Sequence, residues 1–175
     1  MKSVLISIQP KWCELIASGK KTVEVRKTRP KLETPFKCYI YETKEYDTLF
    51  GKGKPKKLWV SGGGVIGEFV CDDVIVDEKG ENSDILRFYG NLTHEELLSY
   101  GKNKTLYGWH ISDLVIYDKP RELSEFQRYP KTEHCGWGEC DICRHGDFDQ
   151  IDEEWFCRNI ITRPPQSWCY VEGAE

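Results

Sequence analysis

Gly19-Lys-Lys-Thr-Val-Glu-Val-Arg26 is the stretch whose reading decides the fold, because it contains the end of a helix, the start of a strand and three charged side chains that the strand can gather. Upstream, Pro10 suits a first helical position, and Trp12, Leu15 and Ile16 recur at helical spacing until Gly19 supplies a left-handed stop. Downstream, Thr22, Val23 and Val25 favour extended backbone. Period-two alternation places Thr22, Glu24 and Arg26 on one face of that strand and Val23 and Val25 on the other. Lys21 falls where the chain is still turning, so its direction stays open.

Working outward, the chain reads as strand Ser3 to Ile8, helix Pro10 to Ser18, strand Lys21 to Thr28, strand Phe36 to Thr43 and a basic loop to Lys57. Strands follow at Leu58 to Ser61 and Val65 to Val76. A polar stretch then leads to a helix from His94 to Tyr100, with Thr93 and Glu96 spaced as a capping box. A strand from Gly108 to Tyr117 comes next, and the terminal QSWCYVEG reads as a last strand returning to the barrel. Strands outnumber helices, so the class is α+β, mainly β.

The octet fits G-x-K-x-x-E-x-R, and with SVLISI before the helix it resembles the start of ASCH domains, within the PUA-like β-barrel superfamily. The likeness extends more loosely through PFKCYIYETK, VIGEFVCDDVIV and YGWHISDLVIYDKP. It implies a small β-barrel over 1–120 with a cleft beside the octet, and a role in binding RNA, DNA or a modified nucleoside. Some relatives are small amidohydrolases that remove an acyl group from the exocyclic nitrogen of modified cytidine, using a Lys, a Thr and a Glu. The matching lysine is Lys21, and Glu24 stands where those relatives carry the threonine.

The residues support two chemistries beside that resemblance. In a binding site, Arg26 supplies a planar fork for a phosphate or base edge, Lys21 a point charge and Glu24 an acceptor for an exocyclic amine. In an enzyme, Lys21 with a lowered pKa serves as base, Thr22 or a water attacks, and Glu24 carries the proton. Trp12, Tyr107 and Trp109 are candidate stacking partners for a base, although aromatic side chains in a small domain more often fill the core.

Eight cysteines are the other strong signal. Four of them, Cys135, Cys140, Cys143 and Cys157, are spaced C-x4-C-x2-C-x13-C in the Cys-rich, acidic segment 121–165. That arrangement suits tetrahedral thiolate ligands of a structural zinc, with His134 or His145 as alternatives to Cys135. The expected architecture is therefore a barrel, a zinc-stapled elaboration at 121–165, and a terminal strand at 166–175. Cys13, Cys38, Cys71 and Cys169 lie in apolar surroundings, as buried free thiols do.

Charge is unevenly placed: residues 1–60 carry 14 Lys and Arg against 6 Asp and Glu, and the remainder 11 against 23. The net charge of −4 argues against coating nucleic acid by bulk electrostatics, but a basic half carrying the octet would gather phosphate locally. The acidic tail offers a third role, as an adaptor surface for a protein partner. No apolar run reaches the roughly 20 residues of a membrane span, and the opening residues are too short for a signal peptide, so the expected location is the cytoplasm. Gly62, Gly64 and Gly67 satisfy G-x-G-x-x-G, but a strand pattern follows where a dinucleotide site needs a helix. The phosphate-loop and serine-elbow motifs are absent.

Overall fold

The structure is a computed structural model that describes residues 2–49, 56–78, 80–102, 104–129 and 160–173, the side chains of 46–49 and 56–60 excepted. A five-stranded sheet is ordered β10-β1-β3-β6-β9, from β1 (Lys2–Ile8), β3 (Phe36–Glu42), β6 (Val65–Cys71), β9 (Ser112–Arg121) and β10 (Trp168–Glu172). All its ladders are antiparallel except β1 on β3. That parallel pair needs a crossover, which α1 (Pro10–Ala17) and β2 (Val23–Arg26) supply. A second sheet is ordered β2-β8-β7, with β7 (Val74–Asp77) and β8 (Leu106–His110). β4 (Glu45–Leu49) and β5 (Lys56–Ser61) form a separate antiparallel pair.

Helices α2 (Ser83–Tyr89) and α3 (His94–Gly101) lie over the second sheet. Their Leu86 and Leu97 join Val23, Val25 and Leu106 in a small core. The main core lies on one face of the five-stranded sheet, where Val4, Ile6, Ile8, Cys38, Ile40 and Phe69 meet Ile16 of α1 and Trp109 of β8. Leu5, Tyr39 and Val65 project from the other face onto Phe126, Ile161 and Val171. Strand β1 is thus buried on both faces, its Ser3 and Ser7 included, which is why SVLISI lacks a charged, solvent-facing side.

Two strands of the sequence reading are each divided by a bend. Val65 to Val76 breaks at Asp72–Asp73, and Gly108 to Tyr117 breaks at Ile111. The breaks are neighbours, since the His110 N–H donates to the Asp73 carbonyl at 3.0 Å, and the Ile111 N–H donates to the Thr22 carbonyl at 2.9 Å. At this corner both chains pass from one sheet to the other, and hydrophobic alternation carries no mark of it. The same reading missed α2 and β4.

The expected closed β-barrel is corrected by these ladders. Among the described residues the strands form open sheets, the larger ending at β10 and β9 and the smaller at β2 and β7. The zinc-bound part of the expected architecture is not supported: among the described residues no three His, Cys, Asp or Glu side chains group to hold a metal. Cys135, Cys140, Cys143, Cys157, His134 and His145 lie outside the described residues, as does most of the acidic tail. The described cysteines are instead dispersed through the core, with Cys13, Cys38 and Cys71 buried as free thiols and Cys169 half-buried. No helix of the described residues is long and apolar enough to cross a membrane.

Candidate binding hollow

The turn from α1 into β2 places the charges. Gly19 adopts φ 71°, and the N–H groups of Lys20 and Lys21 both donate to the Leu15 carbonyl, so the chain stays coiled until Val23. This reverses the alternation at its start. Lys21 faces the same side as Glu24 and Arg26, while Thr22 lines a different hollow. From Val23 onward the period-two pattern operates, with both valines packed under α2 and α3 and the two charged residues on the opposite face.

Lys21, Glu24 and Arg26 are only 3%, 5% and 9% exposed, so they form the floor of the hollow rather than its rim. The Lys21 ammonium donates to the Gly90 carbonyl at 2.7 Å and lies 3.4 Å from Glu24 Oε2. One terminal nitrogen of Arg26 donates to the Ser7 carbonyl at 2.6 Å, and the other reaches Ser167 Oγ at 3.4 Å. Arg26 Nε is 3.0 Å from Glu24 Oε1, but its N–H is not aimed at that oxygen and is left buried without a hydrogen-bond partner among the described residues. Charge proximity is satisfied there, and hydrogen-bond geometry is not.

Burial holds the Lys21 amine below the ordinary lysine pKa, a shift that the Glu24 carboxylate opposes. The cluster carries two cations and one carboxylate, so it has one positive charge in excess. Above it opens a hollow of about 650 Å³, walled by Trp12 of α1, by Leu92, Glu96 and Tyr100 around α3, and by Pro164, Pro165 and Gln166. The proline wall is tied down by Ser7, whose hydroxyl donates to the Pro165 carbonyl at 2.7 Å. The Trp12 ring centroid is 5.1 Å from Lys21 Nζ. Burial raises the pKa of the Tyr100 hydroxyl, which keeps that group a neutral donor.

The other aromatic candidates are elsewhere. Trp109 is fully buried, edge-on to Phe36 and Trp168, and Tyr107 packs against the same core. Neither lines the hollow. Sequence reading also missed Tyr100, Glu96 and the 164–166 wall. The capping box on α3 was the available signal for the first two, since it fixes a helix whose second turn faces the octet: Thr93 Oγ1 accepts from the Glu96 N–H at 3.1 Å, and the Glu96 carboxylate also takes Lys11 at 2.9 Å.

A family model described as the ASCH domain matches residues 6–166. The fold is similar to the crystal structure of ASCH from Zymomonas mobilis, with TM-score 0.60 and 17% identity over 97% of this chain and 87% of that one. It is similar to a point mutant of that Zymomonas mobilis protein at TM-score 0.61 and 17% identity, over 97% and 88% of the two chains. At such identities the likeness shows the fold alone. No curated protein matches the chain.

Proposed function

We propose that this chain, which belongs to the ASCH domain family, binds RNA through a nucleobase seated in the hollow beside the octet. The observation that carries the reading is the buried Lys21-Glu24-Arg26 cluster beneath an open cavity walled by Trp12 and Tyr100. Burying three charges is costly unless their hydrogen-bonding capacity is used, and Arg26 Nε is unused as the cluster stands. A base edge suits the cluster better than a phosphate, because a carboxylate at its centre repels an anion. Each Glu24 oxygen keeps a further acceptor site, which an exocyclic amine can fill while Lys21 or Arg26 donates to a ring carbonyl. The flanking aromatic rings add stacking or edge contact at roughly 1 to 3 kcal/mol per base.

The test is selectivity. Cytidine, which has an exocyclic amine, should bind to wild type about tenfold more tightly than uridine, the span of one good polar contact to a base. Glu24→Gln should narrow that preference, and circular dichroism should show it folded. Equal affinity for the two nucleosides in wild type, measured by calorimetry, would sink the reading.

A second reading, an amidohydrolase acting on an N-acylated cytidine, is favoured by the buried amine of lowered pKa at Lys21, 3.4 Å from Glu24. Because Thr22 lines another hollow, the attacking group would be a water rather than its hydroxyl. Release of carboxylate from acylated cytidine, lost in Lys21→Met, distinguishes the enzyme from a binder. A protein adaptor would bind neither nucleoside nor acylated substrate.

A further inference from the structure

Phe88 and Tyr89, at the end of α2, are 77% and 48% exposed, unusually high for adjacent aromatic side chains in a folded domain. They hold each other edge-on, with ring centroids 5.2 Å apart. They line a second hollow of about 890 Å³ together with Lys20, Arg87 and Asn91. Among the described residues no carboxylate lines it, although Arg87 also pairs with Asp84 at 3.0 Å. Flat rings with cations beside them, and no acid lining the hollow, complement a nucleotide, whose base stacks and whose phosphate is anionic.

This surface is continuous with the candidate site. Leu92 lines both hollows. The backbone that carries the aromatic pair is bonded to the octet, because the Thr22 N–H donates to the Tyr89 carbonyl at 2.9 Å and Lys21 Nζ to the Gly90 carbonyl at 2.7 Å. The two surfaces therefore hold a fixed separation across one strand end. We infer that Phe88, Tyr89 and Lys20 form a flanking-nucleotide subsite, which holds single-stranded RNA adjacent to the base in the first hollow. The inference rests on the nucleobase reading above and deepens it: the ligand is a strand rather than a free nucleoside, and the strand passes over Leu92.

The experiment compares a fluorescein-labelled, cytidine-rich RNA of about a dozen nucleotides with free cytidine. Wild type should bind the oligomer more tightly than the nucleoside. Phe88→Ala should weaken the oligomer about tenfold, as the loss of one stacked base does, and leave cytidine unchanged. Phe88→Trp should restore it. Lys20→Ala should lower the slope of log affinity against log salt by about 0.7, the loss of one phosphate contact on a single strand. If cytidine binds but Phe88→Ala leaves the oligomer unaffected, the subsite is wrong and the first hollow stands. If neither ligand binds wild type, both readings fall. If wild type is a dimer that Phe88→Ala dissociates with no change in RNA affinity, the patch belongs to a second copy of this chain and the inference is overturned.

Discussion

Lys21 is the residue at which local sequence and tertiary setting disagree most. Its ammonium is buried with a single carboxylate that Arg26 also uses, and burial lowers its pKa from the unfolded value of 10.5. The unfolded chain therefore binds more protons at this group than the folded one. Its charge opposes folding fully below the folded pKa, and the penalty fades as pH rises from that value toward 10.5. The difference in unfolding free energy between wild type and Lys21→Met should accordingly move in favour of wild type over that alkaline window, and urea midpoints across the pH range would measure it. A difference that is flat with pH would mean that the amine is solvated. The charges at Lys21, Glu24 and Arg26, and the alternation that puts Glu24 and Arg26 on one face, were legible beforehand. The orientation of Lys21 was not, because it depends on the coil closed by the Leu15 carbonyl.

At the scale of elements, the hollow exists because α2 and α3 sit closely on the second sheet and turn α3 toward the octet. Gly108 of β8 permits that approach. A methyl group there would meet Val23 Cγ1 at 2.8 Å and would collide with Leu86 of α2. Gly108→Ala should cost roughly 1 to 3 kcal/mol by overpacking. Adding Leu86→Ala should cost less in that background than in wild type, since the same change relieves the collision. Thermal or urea unfolding of the four proteins closes the cycle, and strict additivity would show that the contact is not limiting. The α1 and α3 boundaries were readable from Pro10, Gly19 and the Thr93-Glu96 box, because caps are local chemistry. Helix α2 was not, since it has seven residues, no side-chain cap and a polar first turn.

Over the whole molecule, the C-terminal strand closes what the N-terminal strand begins. β10 covers one edge of β1 in a register running from Lys2 opposite Glu172 to Ile6 opposite Trp168. Its Val171 is fully buried against the second face of the sheet. Deleting residues 168–175 should therefore uncover both an edge ladder and an apolar face, and light scattering should show association at concentrations where the full chain is monodisperse. A truncated chain that remained monodisperse with an unchanged urea midpoint would contradict this. The segment just before β10 also walls the hollow and brings Ser167 to Arg26, so the site depends on residues 141 positions apart in sequence.

The amino-acid sequence by itself determined the elements with strong local grammar: the apolar first strand, the capped helices, and a strand carrying Glu24 and Arg26 on one face. Each follows from periodicity or end chemistry within about a dozen residues, the range over which a chain's own geometry acts. Tertiary structure decided that the sheets are open, that strands bend from one sheet into the other at Asp72–Asp73 and Ile111, and that Trp109 is core while Trp12 walls a cavity. Those outcomes depend on which distant surfaces become neighbours, and side-chain alternation is the same on either side of a sheet corner.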